Sequence, residues 1–196
     1  MTSTRSPADS AIEAKVEEVD QAVADAFLPF VGKSAVEGLG AISDLSDQEP
    51  LYAAGAATLA TAVLIRDGRT WRAGTRLLAS HLLATGLRGI VKQMVDRTRP
   101  EAAARRGEYV LRPGQRHDGD FNSFPSGHTA GAVAVALAVG RAYPNGRNVA
   151  LGLAAAAGLS QVVRSRHYVS DVVAGAAIGW AADMMIGALI SRAERI

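Results

Sequence analysis

Five apolar segments, residues 51–65, 71–91, 129–143, 148–163 and 171–190, make up most of the chain beyond residue 50 and carry few charges. Their length and their Ala, Gly, Val and Leu content predict five helices. Twenty glycines and an aromatic share of only 5% suit helices that approach one another closely. None of the five offers the roughly 20 uninterrupted apolar residues of an ideal spanning helix, so a soluble helical bundle competes with a membrane one. Charge placement decides between them. Arg66, Arg69, Arg72 and Arg76 fall in one connection, Arg141 and Arg147 in another, and Arg192 and Arg195 at the C-terminus. If the five segments span, all three clusters share one face, as the positive-inside rule requires. The expected fold is an all-α helical bundle over residues 51–196, integral to a membrane, with five to six spanning helices.

Residues 1–50 differ in character, with ten acidic residues against three basic ones. Ile12, Val16, Val19, Val23 and Phe27 recur at helical spacing, which predicts an amphipathic helix from about residue 7 past residue 26 with an acidic outer face. No apolar run follows a basic start, so a cleavable signal peptide is not expected. Residues 27–42 are apolar but broken by Lys33 and Glu37, which points to an interfacial or packed helix. A sixth crossing there would move the acidic tail to the opposite side.

The absence of cysteine excludes disulfides, thiolate metal sites and a cysteine nucleophile. Residues 92–116 hold seven bases against three acids. They lack interleaved aromatics for base stacking, so nucleic acid is not an expected partner. His117 reads as an exposed loop residue. Asp183, costly in lipid, is expected to lie buried against a partner.

Three polar clusters abut the apolar segments. The first, Lys92-Gln93-Met94-Val95-Asp96-Arg97-Thr98-Arg99-Pro100, supplies a point charge at Lys92 and a planar fork at Arg99. Both would share a face if the helix persisted to Pro100, and Arg88, four residues before Lys92, either joins that basic face or simply snorkels. In the second, Phe124-Pro125-Ser126-Gly127-His128, free backbone N–H groups at a helix start form an anion site, Gly127 permits close approach, and Ser126 adds a hydroxyl. His128 in that first turn can protonate a leaving group. The third is His167 with Asp171 one helical turn on, where the carboxylate can orient a neutral imidazole for attack. Ser170 reads as an N-cap for the following helix. Charge on several oxygens, as in phosphoryl transfer, is what such an array suits.

Together these clusters resemble the signature of the type 2 phosphatidic acid phosphatase superfamily, K-x6-R-P, P-S-G-H and S-R-x5-H-x3-D, over residues 51–190. The resemblance implies a helical bundle and a phosphatase. His167 would be the nucleophile that forms a phosphohistidine, Asp171 its orienter and His128 the general acid and then base. Lys92, Arg99, Ser126 and Gly127 would form the phosphate cradle, with no metal or other cofactor. One position departs from the pattern: Gln161 stands where the family has Arg. Arg164, three residues on, is the expected replacement, with adjacent Arg166 the weaker candidate. The implied substrate is a lipid phosphate monoester or pyrophosphate, met at the non-cytoplasmic face of a bacterial inner membrane beside a mobile loop at 101–123. A soluble acid phosphatase and a non-catalytic lipid-binding protein are the alternatives.

Overall fold

In the computed structural model, residues 7–114, 118–193 and 195 are described, so His117 lies outside the described residues. The helices are α1 (Pro7–Phe27), α2 (Ser34–Asp44), α3 (Gln48–Ile65), α4 (Gly68–Lys92), α5 (Pro100–Arg106), α6 (Gly127–Ala142), α7 (Arg147–Val163) and α8 (Val169–Ala193). Two short strands, β1 (Val95–Arg97) and β2 (Leu111–Pro113), pair antiparallel with Arg97 opposite Leu111. The five expected helices form within a few residues of their expected bounds.

α6 is the central element and packs against α4, α7 and α8. Its small residues make this possible: Ala130, Gly131, Ala132, Ala134, Ala136, Ala138 and Gly140 are all buried. The approach of α8 is closest. A methyl group on Gly175 would lie 2.4 Å from the Ser126 carbonyl oxygen, and one on Gly179 would lie 2.3 Å from that of Ala130. Backbone therefore touches backbone here, and no larger residue fits. α3 and α4 join through Arg66, which takes the left-handed conformation, and Asp67, whose carboxylate accepts from the Thr70 backbone N–H at 2.8 Å.

Asp183 is fully buried in α8, as expected, held by Arg76 Nε and Arg141 Nε at 2.8 Å each. Arg69, Arg72, Arg76 and Arg141 line one cavity of about 470 Å³ with Ile190 and Ser191. Arginines from the first two expected clusters thus gather at one end of the bundle, beside the end of α8.

Among the described residues, α8 alone is long and apolar enough to cross a membrane. α6 and α7 have 16 and 17 residues, about 25 Å at 1.5 Å per residue, against an apolar layer of about 30 Å. α4 carries Arg69, Arg72, Arg76 and Arg88. α2 has 11 residues, about half the length a sixth crossing needs, and packs against α7.

α1 forms where expected, but its orientation differs. Ile12, Val16 and Val19 are exposed, whereas Asp20 and Ala24 are buried. The face that docks on the bundle is the one carrying the buried acid. Residues 101–123, expected as a mobile loop, contain α5, β2 and the 3-10 turn Gly119–Phe121.

Candidate active site

The helix expected to continue from Lys92 to Arg99 stops at Lys92. The chain then runs extended through β1, so Lys92 and Arg99 do not share a helix face. Backbone bonds fix the excursion: Thr98 N–H donates to Val110 O at 3.0 Å, Arg99 N–H to Asp120 O at 2.8 Å, and Ser123 N–H to Arg97 O at 3.0 Å. Pro100 opens α5 as its first residue, where the missing N–H costs nothing. Glu101 N–H reaches Ser165 O at 3.1 Å and ties the first motif to the third.

Ser126 caps α6, its Oγ accepting from Thr129 Oγ1 at 3.0 Å, and Gly127 is the first helical residue. Ser126 N–H donates to the Asp171 backbone oxygen at 3.0 Å, so the second and third motifs are joined directly. His128 Nε2 lies 2.7 Å from Asp47 Oδ1 at the start of α3. That partner was missed in the sequence, because Asp47 stands 81 positions away with no motif around it.

His167 is buried, and its Nδ1 lies 3.6 Å from Asp171 Oδ2. That is longer than a hydrogen bond. Burial is the largest cause holding the imidazole pKa below its ordinary value, opposed by Asp171. The neutral form is therefore favoured, with Nδ1 turned to the carboxylate and Nε2 directed away from it.

Asp171 is fully buried and gathers three hydrogen-bond donors. Arg97 Nη1 donates to Oδ1 at 2.7 Å, while Tyr168 N–H at 2.8 Å and the Ser123 hydroxyl donate to Oδ2 beside His167. Tyr168 is also where the expected cap differs. Asp171 itself binds back to that N–H, as a capping-box acid does, and Ser170 faces Arg97 and Asp20 instead.

Arg97 is the second residue that sequence reasoning undervalued. Buried to 2% exposure, it also donates from Nη2 to Asp20 Oδ2 at 2.8 Å and to the Tyr109 hydroxyl at 3.1 Å. Its Cζ lies 4.1 Å from the Tyr168 ring centre. Burial opposes its charge, but Asp171 and the Asp20 hydrogen bond raise its pKa above the ordinary value. Asp20 accepts Ser170 N–H at 2.9 Å as well. The N-terminal helix is thus bonded to the carboxylate beside His167.

The cationic side of the site comprises Lys92 and Arg99, with Arg88 against Gly127. Arg99 has its pKa lowered by burial first, then by the like charges of Arg166 and Arg88. Arg166 is half exposed and meets Glu101 at 3.3 Å. Gln161 and Arg164, expected at the cradle, turn toward α2. Gln161 is buried and donates from Nε2 to Ser43 Oγ, and the Arg164 guanidinium lies against Gly40.

Residues 73–193 match the sequence profile of the PAP2 superfamily. The chain is 31% identical over 106 residues to a lipid A 1-phosphatase of Rhizobium etli, covering 54% of this chain and 45% of that one. It is 34% identical over 124 residues to a decaprenylphosphoryl-5-phosphoribose phosphatase of Mycobacterium tuberculosis, covering 63% of each. The match therefore spans less than two thirds of either relative. The fold resembles that of a transmembrane PAP2-type phosphatidylglycerolphosphate phosphatase from Bacillus subtilis, with a TM-score of 0.66 at 19% identity over 91% of this chain and 87% of that one. It also resembles Aquifex aeolicus LpxE, at 0.63 and 18% identity over 85% and 93%. With all three motifs inside or beside one bundle end and the profile covering residues 73–193, the chain belongs to the PAP2 superfamily.

Proposed function

We propose that this protein is an integral membrane phosphatase that hydrolyses a lipid-linked phosphate monoester or pyrophosphate through a phosphohistidine, without a metal ion. The observation that carries the reading is the convergence of buried neutral His167, its carboxylate Asp171 and the cations Lys92 and Arg99 next to the α6 N-terminus. Similarity to phosphatases named for lipid A and decaprenylphosphoryl-5-phosphoribose supports the substrate class.

In the first step His167 Nε2 attacks phosphorus and the bond to the leaving oxygen breaks. His128 gives that oxygen its proton, and Asp171 stabilises the imidazolium character that develops on His167. Lys92, Arg99, the Ser126 hydroxyl and the backbone N–H groups at Gly127 and His128 hold the equatorial oxygens. In the second step His128 takes a proton from water, the hydroxide oxygen attacks phosphorus, and the P–N bond breaks to release phosphate.

Large apolar side chains on several helices face outward, among them Leu64, Ile90, Leu153, Leu159, Val173, Trp180 and Leu189. Exposure on this scale suits lipid contact, and the exposed Ile12, Val16 and Val19 of α1 suit an interfacial position. We read α3, α4, α6, α7 and α8 as spanning, with α1 and α2 at the interface, the arginine-lined end inside and the motifs outside.

The test is phosphate release from a panel of phosphatidic acid, phosphatidylglycerol phosphate, polyprenyl phosphates and lipid A, with wild type and His167→Ala in the same detergent. Wild type should release phosphate from at least one member and His167→Ala should lose at least about 10³-fold. No release from any member, or equal release by both proteins, refutes the reading.

A further inference from the structure

The superfamily's third motif carries an arginine where this chain has Gln161, so one cation of the phosphate site must come from elsewhere or be missing. Three arginines stand near enough to compare. Arg164 lies against Gly40, with its guanidinium atoms 3.5 to 3.9 Å from a methyl group built there. Arg166 is half exposed and already engaged with Glu101.

Arg88 differs from both. It sits one helical turn before Lys92 on α4, on the same face. A methyl group built on Gly127 would lie 2.9 Å from its Cζ, Nε and Nη2 alike. Three atoms of a planar group at one distance mean that the guanidinium presents its face to the Cβ position of Gly127. Its Nε is buried without a hydrogen-bond partner, and so is that of Arg99. Among the described residues, no carboxylate forms an ion pair with Arg88, Lys92 or Arg99. The three side chains are half-buried, and Asp171 attracts Lys92 and Arg99 only from beyond ion-pair distance. Their mutual repulsion is therefore poorly offset, and an anion with several oxygens bound between them relieves it.

We propose that Arg88 supplies the phosphate-binding cation that Gln161 does not, so that the cradle of this protein is Arg88, Lys92 and Arg99 with the Gly127 backbone. Gln161 is thereby released to bond Ser43 and hold α2 on the bundle. The inference rests on the phosphatase reading for its catalytic consequence, but anion binding tests it separately.

Two measurements in the same detergent micelles decide the matter. The first is kcat/KM for dioleoyl phosphatidic acid, or for whichever panel lipid the wild type turns over, with wild type, Arg88→Met, Arg88→Lys, Arg164→Met and His167→Ala. The second is orthovanadate affinity by calorimetry on the same five proteins. Arg88→Met should lose about 10²-fold in kcat/KM and bind orthovanadate at least about tenfold more weakly. Arg88→Lys, which keeps the charge and most of the stem, should recover part of both, while Arg164→Met should stay within about threefold of wild type.

The proposal is overturned if Arg88→Met stays within about threefold in both measurements, or if Arg164→Met reproduces its losses. It is also overturned if Arg88→Met and Arg88→Lys lose thermal stability alike while binding orthovanadate as wild type does. If wild type matches His167→Ala in showing no turnover, the phosphatase reading fails, and orthovanadate affinity alone judges Arg88.

Discussion

Asp20 and Arg97, 77 residues apart in the chain, meet in a buried 2.8 Å ion pair, and the same guanidinium holds Asp171 at 2.7 Å from its other nitrogen. The helix outside the superfamily match therefore supports the carboxylate beside His167. Removing one partner of a buried pair costs about 3–5 kcal/mol, because the other charge stays behind. Asp20→Ala should lower thermal stability by that order in detergent and reduce phosphate release, with Asp20→Asn intermediate because it keeps an acceptor for Ser170. Unchanged melting and activity in Asp20→Ala would show that α1 is only peripheral.

Asp171→Asn keeps the shape but replaces an acceptor shared by Arg97, Ser123, Tyr168 and His167. The amide cannot hold the Nδ1 proton on His167 or stabilise an imidazolium, so kcat should fall by about 10³–10⁴. Steady-state kinetics with the best panel lipid would show it, and a loss below tenfold would remove Asp171 from the orienting role.

His128 faces Asp47 at 2.7 Å. If it protonates the leaving oxygen, its importance scales with how poor that leaving group is. His128→Ala should cost about 10²–10⁴ on an alkyl phosphate and far less on p-nitrophenyl phosphate, whose leaving group needs no proton. Asp47→Asn should show the same pattern more weakly. The comparison is made in kcat/KM, which reports the first step alone, and equal losses there would point to binding rather than leaving-group protonation.

Burial lowers the pKa of His167 in the folded protein. Below about pH 6.5 the unfolded chain takes up a proton that the folded imidazole resists. Stability from this group is therefore full above that pH and is lost as pH falls from the unfolded pKa toward the folded one. Melting temperatures between pH 7.5 and 5 should drop more steeply for wild type than for His167→Asn. Parallel slopes would contradict neutral burial.

Gly175→Ala forces a methyl group to within 2.4 Å of the Ser126 carbonyl oxygen. The helices must part or the protein must unfold, at a cost of at least about 1–3 kcal/mol. Thermal melting in detergent measures it, with Gly152→Ala as a control where nothing lies within 4 Å.

Local patterns made the bundle legible. The five helices are long runs of small and branched apolar residues, and each motif lies at a helix end as expected. The chain between Lys92 and Ser126 was not legible. Its path depends on β1 pairing with β2 and on single backbone bonds such as Arg99 N–H to Asp120 O, which no local periodicity encodes. The face by which α1 docks was hidden for a related reason. Its apolar spacing describes the outward side, while one acid, Asp20, finds a buried arginine far along the chain. Arg88 read only as an addition to the basic face or a snorkelling side chain, because its distinction is the flat contact with Gly127, visible only in three dimensions.

The glycine contact between α6 and α8 has a consequence for how such a protein can diversify. With Ser126 bonded to Asp171 and the two helix backbones touching, His128 and His167 are mounted on a single beam whose dimensions side-chain changes cannot adjust. If the proposed function holds, a different headgroup is accommodated by changes around that beam, in the excursion from Pro100 to Ser123 or in α1 and α2. On the proposed function, the reaction distance is then fixed by the beam, and substrate choice falls to the parts around it.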